Sequence, residues 1–482
     1  MTESDDRPTD REPHEPEPDS APAPGTESLS ARLRRAGHDL RPLDLGEQTG
    51  LIVHLLRWIT LGSVSGVLAG VSSAVFLKAL DWATRTRLEH GWLLWLLPVA
   101  GFVMGYAYWK LAGRAAEGNA LIIDEIHDPQ AWVPRRMAPL ILFATIGTHL
   151  FGGSAGREGT AIQMSGSLTD WFSRVAELGP GDRRILLIAA ISGGFGATFG
   201  VPVAGAVFGL EVQSIGRMRY EAIVPALAAS IVGDLVARGL GIHHATVEVL
   251  GVPSGPVFLA KVAVAGLAFG LAGALFIETT HAIKKLVEAL LVWPPLRPVL
   301  GGVVIIGLVL VVGNRDYLGL SAPIAAEALI GIEMGLGVFA LKLLFTAVTL
   351  GTGYQGGEVT PLFVMGAALG ATLGHWLGVP TSVLAAVGFV AVFAGASNTP
   401  LACTVMGIEL FGPAVAVPMA IGCVVSYVFS SHRSIYGSQR IEIAKGEVGF
   451  APGTSMRDVS RHVLPRRRWY RPTWWDGGRS GE

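Results

Sequence analysis

Two short stretches hold the residue types from which a site could be built inside an otherwise apolar chain. "GREGT", Gly156 to Thr160, and "GGEVT", Gly356 to Thr360, share Gly, Glu and Thr at identical spacing. The first lies in the Gly-rich run "GGSAGREGTAIQMSGSL" (Gly152–Leu168), which leads into a helical pattern. The unpaired N–H groups and dipole of such a helix start attract an anion. Glu158 sits inside that start. A carboxylate there could fill the anion's own place and leave it on protonation, serving as both gate and proton carrier. The competing reading is a helix-capping glutamate with Arg157 as its structural partner. In the second stretch, "GGEVTPLF", Glu358 and Thr360 are set between the apolar runs "LGVFALKLLFTAVTL" and "VMGAALGATLGHWLG", an unusual depth for a carboxylate. A third stretch, "AEGNALIIDEIHDP" (Ala116–Pro129), has a similar layout. Asn119 there offers two N–H donors to a ligand, or it is simply a helix N-cap. Asp124, Glu125 and His127 are expected at the cytoplasmic surface, and "DEIH" is not read as a metal cluster.

These stretches belong to a chain built for a membrane. Of its 482 residues, 50% are hydrophobic and 16% charged, against about 25% charged in an ordinary soluble domain. The acidic, Pro-rich start, "SDDRPTDREPHEPEPDSAPAPG", cannot bury a core, so residues 1–48 are expected to be a disordered cytoplasmic tail. The basic "RRRWYRPTWW" (Arg466–Trp475) falls in a second cytoplasmic tail, residues 447–482. It suits a membrane surface better than a nucleic acid, and no nucleic-acid partner is expected. Between the tails, residues 49–446 read as one polytopic membrane domain. Arg32, Arg34, Arg35 and Arg41 before the first apolar segment, and the Arg466–Arg471 cluster after the last, place both termini in the cytoplasm and require an even number of spans. The start lacks the features of a secretory signal. Cys403 and Cys423 are expected core thiols, His149, His243 and His244 show no metal spacing, and no cofactor is expected.

Apolar segments fall at roughly 51–83, 91–113, 137–152, 160–176, 184–199, 201–213, 219–238, 256–279, 295–313, 335–352, 359–378, 381–395, 400–411 and 414–431. Several are shorter than the ~20 residues a span needs. They predict helices that stop inside the membrane, which is tolerated where the broken backbone faces protein or a polar cavity. The chain also repeats itself. "FGVPVAGAVFGLEV" (Phe199–Val212) aligns with "SNTPLACTVMGIEL" (Ser397–Leu410), matching Pro202 to Pro400, Gly209 to Gly407 and Glu211 to Glu409. With the Glu158 and Glu358 stretches in the same order, this predicts two homologous halves, about 49–240 and 250–446, with a transporter's central site between them. Glu211 and Glu409 are read as structural, near helix ends by polar surfaces or a dimer interface. Ser397, Thr399 and Ser434 are read as helix caps.

"GREGT", "GNALIIDEIH", "GGEVTPLF" and "HRSIYG", in this order over about residues 50–445, resemble the CLC family of anion channels and anion/proton antiporters. The resemblance implies an all-α polytopic fold of two inverted-topology halves with broken helices, assembled as a homodimer with a separate pathway in each subunit. Residue by residue, it implies that Glu158 is the external gating and proton-transfer glutamate. Asn119 falls where most members place an anion-binding serine, and Tyr436 on the tyrosine whose hydroxyl reaches the same anion. Gly159 and the amides of Glu358 and Val359 fall on the outer anion-binding amides.

The departures from the common pattern narrow the reading. Chloride-carrying members usually read GSGIP, GREGP and a hydrophobic GxFxP. This chain has Asn119 for the serine of the first motif, Thr160 for the proline of GREGP, and Glu358, Val359 and Thr360 in the third motif. Chloride/proton exchangers also carry an internal proton glutamate where Val212 stands here. These differences resemble the fluoride/proton antiporter branch. Fluoride is small and strongly hydrated, so its water must be replaced by close N–H and O–H donors such as Asn119, Tyr436, Thr360 and helix-terminal amides. Glu358, with Thr360, then becomes either part of the proton route, a residue that shapes the site, or a cap on its own helix. The sequence-based expectation is a homodimeric bacterial inner-membrane protein that exports fluoride in exchange for protons. A chloride/proton antiporter or a passive anion channel is the alternative; an intramembrane enzyme is disfavoured, because no HExxH or GxSxG elbow stands in a suitable context.

Overall fold

A computed structural model of the chain describes residues 45–244, 246–446 and 450–459. The acidic tail up to residue 44 and the basic cluster Arg466–Trp475 lie outside the described residues. The chain divides after Leu55. Before that point the described residues form the opening turns of helix α1 (Leu45–Glu89), with Leu51, Ile52 and Val53 exposed. Helix therefore begins within the stretch read as tail.

From Leu56 onward the fold is helical and runs twice through one order of elements. After α1 come α2 (Leu97–Leu111), α3 (Asn119–His127), α4 (Met137–Leu150), α5 (Glu158–Val175), α6 (Pro180–Phe199), α7 (Pro202–Glu211) and α8 (Ile223–Gly239). The second series is α9 (Pro256–Leu290), α10 (Leu296–Val312), α11 (Ala322–Leu329), α12 (Leu336–Gly351), α13 (Val359–Leu377), α14 (Thr381–Ser397), α15 (Pro400–Phe411) and α16 (Ala416–Phe429). The apolar segments of the sequence fall on these helices; the nine-residue α3 and the eight-residue α11 are the two outside those segments. Among the described residues, five helical stretches are long and apolar enough to cross a membrane by length and composition. Others are short: α7 has 10 residues and α15 has 12.

The local chemistry of the two series agrees. Pro202 and Pro400 open α7 and α15 at a position where a missing N–H costs nothing. Just before them, Gly200 (φ 72°) and Asn398 (φ 59°) end α6 and α14 in the left-handed conformation, which glycine and asparagine tolerate best. The pair α7 and α15 also shows the inversion directly. Glu211 closes α7 and accepts hydrogen bonds from Leu401 N (3.1 Å) and Ala402 N (2.8 Å) at the start of α15. Glu409, near the end of α15, accepts them from Val203 N (3.0 Å) and Ala204 N (2.8 Å) at the start of α7. Each helix end meets the other's beginning, so the two run antiparallel and corresponding elements point opposite ways. Glu211 thereby satisfies the amides that Thr399 would otherwise cap. Thr399 instead bonds Ser397 Oγ (2.5 Å), Ser397 also bonds Phe393 O (2.7 Å), and Ser434 Oγ accepts from Tyr436 N (3.0 Å). The helix-cap reading is corrected: Thr399 stands at the cap position of α15 but Glu211 takes its amides, Ser397 ends α14 and bonds back within it, and Ser434 bonds the amide of Tyr436 outside any helix.

The core is aromatic where the halves meet. Phe195 stacks on Phe208 at 4.1 Å, Phe363 on Phe389 at 4.4 Å, and Phe199 meets Phe363 edge-on at 5.3 Å. Beyond α16 the chain returns to the first half through a small sheet: β1 (Ser214–Ile215) pairs in parallel with β2 (Arg440–Ile441), which pairs antiparallel with β3 (Thr454–Ser455). Gln439 fastens this return, donating to Val212 O (2.8 Å) and Ser397 O (2.9 Å). The short segment between α16 and β2 carries Tyr436.

Candidate anion pathway

The two glutamate motifs meet across the halves. Gly156 N donates to Gly357 O (2.7 Å) and Gly357 N to Gly156 O (2.9 Å), an antiparallel bridge that sets the starts of α5 and α13 side by side. Glycine is needed there for close approach: a Cβ on Gly357 would collide with the Glu158 carboxylate, and one on Gly156 would lie 2.8 Å from Pro361 Cδ.

Glu158, the first residue of α5, is 1% exposed. Its side chain crosses to the other half. Oε1 accepts from Val359 N (2.6 Å), while Oε2 accepts from Thr360 N (3.2 Å), Thr360 Oγ1 (2.9 Å) and Arg157 N (3.0 Å). The carboxylate thus sits on the first amides of α13, where a helix offers unpaired N–H groups and the positive end of its dipole. Arg157 contributes its backbone amide. Its guanidinium lies 5.4 Å from the centre of the Phe199 ring.

Asn119 opens α3, behind Gly118 at φ 63°, so the glycine holds the cap position and the asparagine follows it. Its Nδ2 lies 3.1 Å from where a Cβ on Gly159 would stand, and its Oδ1 is buried without a hydrogen-bond partner among the described residues. Gly159, Val359 and Thr360 therefore gather around Glu158, with Asn119 beside Gly159. Tyr436 is 5% exposed, its ring held edge-on by Phe208 at 6.4 Å. No hydrogen bond to its hydroxyl occurs among the described residues.

Glu358 occupies the cap position of α13 but makes no capping bond with its side chain. The alternative in which it caps its own helix start is set aside. The Thr160 hydroxyl pairs with that of Thr145 (2.7 Å).

Glu125 is not at the surface, as the sequence suggested, but 1% exposed. It pairs with Arg114 (2.7 Å) and Arg183 (3.2 Å), and Arg183 also holds Asp170 (2.6 Å). A carboxylate with two guanidinium partners can be buried where a lone one could not. Asp124 is half-buried, bonding Ser438 Oγ (2.7 Å) and pairing with Arg457 (3.4 Å). His127 bonds Gln213 O (3.0 Å). No cluster of metal-ligating side chains occurs among the described residues, and both cysteines are buried and free.

Sequence reasoning passed over Lys342, although a lysine in the middle of "LGVFALKLLFTAVTL" was its signal. Lys342 is fully buried, and its Nζ donates to Ser154 Oγ, Gly319 O and Ser321 Oγ, each at 2.9 Å. Thr346 and Thr349, one and two turns along the same face of α12, also grip Ser154, at Oγ and N (3.0 Å each). Three side chains of the second half therefore hold the loop that delivers Glu158.

Residues 100–431 match the family described as voltage gated chloride channel. The chain belongs to this family, the CLC family. A chloride/fluoride channel protein of Pseudomonas syringae pv. tomato is 47% identical over 407 residues, covering 83% of this chain and 90% of the relative. An H(+)/Cl(-) exchange transporter of Yersinia pestis bv. Antiqua is 26% identical over 425 residues, covering 81% of this chain and 86% of the relative. The crystal structure of a CLC-type fluoride/proton antiporter superposes with a TM-score of 0.78 at 30% identity, covering 80% of this chain and 98% of that one. The inverted repeat and the broken helices are those of the CLC fold.

Proposed function

We propose that this CLC protein is a fluoride/proton antiporter that exports fluoride, with Glu158 as its gate and proton carrier. The carrying observation is the Glu158 carboxylate seated on Val359 N, Thr360 N and Thr360 Oγ1. Donors that hold a carboxylate oxygen at 2.6–3.2 Å suit a small anion equally well. Ionised Glu158 and an anion compete for that place. A proton on Glu158 removes its charge, weakens its hold on the amides and admits the anion; loss of the proton reverses the exchange. Because the two occupants exclude one another, anion movement one way is tied to proton movement the other way.

Fluoride rather than chloride is supported by Asn119, Glu358 and Thr360, and by the fluoride named for two of the similar proteins. Thr360 supplies a hydroxyl. A half-turn of the Asn119 carboxamide exchanges its unpartnered oxygen for an NH2 donor. Glu358, uncapped, serves as part of the proton route in the absence of a glutamate at Val212, or shapes the site. Tyr436 reaches the anion from the other side.

The protein works as a homodimer among lipids of the bacterial inner membrane, with both termini cytoplasmic and tails flanking a membrane domain at about 49–446. Inward proton movement supplies the energy for export.

Purified protein in liposomes loaded with both anions tests the substrate. Fluoride should leave at least tenfold faster than chloride, and equal rates would remove fluoride from the account.

A further inference from the structure

Away from the pathway, α2 and α4 leave an apolar groove of about 500 Å³ between them, lined in part by Val103, Met104, Tyr108, Leu140 and Phe143. It opens outward: Phe143 is 73% and Val103 61% exposed. The glycine face of α2 is turned the other way. A Cβ on Gly105 would lie 3.2 Å from Pro295 Cα, and one on Gly101 3.0 Å from Pro298 O, so α2 packs closely against the start of α10. On the outside of a membrane protein such a furrow is filled by hydrocarbon.

One end of the groove is charged. Four basic side chains cluster in sequence around it, and three are engaged. Lys110 lies 4.4 Å from the centre of the Trp109 ring, Arg114 pairs with Glu125 at 2.7 Å, and Arg135 lies 5.7 Å from the centre of the Trp171 ring. Arg136 lines the groove and is exposed, and its guanidinium makes no ion pair or hydrogen bond among the described residues. Its Nη2 lies 2.7 Å from where a Cβ on Gly113 (φ 51°) would stand, so the absence of a side chain there makes room for the guanidinium. An unpaired guanidinium at the mouth of an apolar furrow matches one chemistry, a phosphate joined to an acyl chain. Arginine binds phosphate through two parallel N–H donors, and basic pockets between transmembrane helices take anionic head groups.

We propose that this groove binds an anionic phospholipid, one acyl chain along Val103, Leu140 and Phe143 and its phosphate on Arg136. The test is native mass spectrometry of the full chain, extracted from vesicles containing equal phosphatidylglycerol and phosphatidylcholine. Wild type should retain phosphatidylglycerol at least fivefold over phosphatidylcholine. Arg136→Gln should bring that ratio close to one, and Ala107→Trp, which fills the furrow, should reduce retention of both lipids. Equal retention by wild type, or an undiminished preference in Arg136→Gln, overturns the proposal. So does efficient cross-linking between two copies through Phe143→Cys, since a second copy would then cover the groove.

Discussion

The starts of α5 and α13 carry one motif and use it in two ways. Both have a glutamate two residues after a glycine, Gly156 or Gly356, and the bridge between Gly156 and Gly357 sets them face to face. Glu158 is the first residue of its helix and reaches across to the amides of α13; Glu358 stands one position earlier relative to its own helix and makes no capping bond. The other repeated pair behaves differently: Glu211 and Glu409 each cap the opposite helix with two bonds. Symmetry is kept where the glutamates close helix ends and is broken where Glu158 meets α13. The amides of α13 hold a carboxylate from the other half, while Glu358 makes no capping bond at the start of its own helix.

The largest expected effect comes from removing the charge that crosses. Glu158→Gln should leave fluoride able to move while the protons moved per fluoride fall at least tenfold, measured with a fluoride electrode and a pH probe in one liposome preparation. Unchanged coupling would return Glu158 to a structural role. Glu358→Ile is the matching change in the other half. With no cap to lose, it should slow coupled fluoride transport without lowering the unfolding temperature; a large fall in that temperature would make Glu358 structural.

Lys342 sharpens the comparison because it belongs to one half and holds the loop of the other. Lys342→Met leaves Ser154 Oγ, Ser321 Oγ and Gly319 O without this donor, at a cost of about 1–3 kcal/mol for each group left unsatisfied. Thermal unfolding should show the loss. A variant as stable as wild type would mean that the loop is held by Thr346 and Thr349 alone. Asn119→Ser should raise the chloride-to-fluoride rate ratio by up to about tenfold, equivalent to ~1.4 kcal/mol; an unchanged ratio removes Asn119 from selectivity. The smallest effects belong to the symmetric pair. Glu211→Ala and Glu409→Ala should each cost about 0.5–2 kcal/mol of stability, the usual range for a lost cap, with coupling intact. The change at Glu211, 7% exposed, should cost more than that at half-buried Glu409.

Much of the architecture was legible because helix boundaries are written locally. Pro202, Pro400, Gly200 and Asn398 punctuate the chain where the helices begin and end, and matching Glu158 to Glu358 by spacing led to the meeting of the halves. What could not be read was pairing over long separations. "DEIHDP" looks like surface because Arg183, which makes burial of Glu125 possible, lies 58 residues away. Thr399 looks like a cap because nothing beside it reveals that Glu211 does that work across 191 residues. Lys342 looks like an interruption of an apolar run until Ser154, 188 residues earlier, is seen to accept from it.

The measurement that bears most directly on the central claim is simultaneous recording of fluoride and proton flux by the wild-type protein in liposomes, starting with a fluoride gradient and no pH gradient. Outward fluoride movement should drive protons inward and build a pH difference that collapses when a proton carrier is added. Fluoride that runs down its gradient while pH stays flat would show a passive pore and contradict the exchange of Glu158 with the anion.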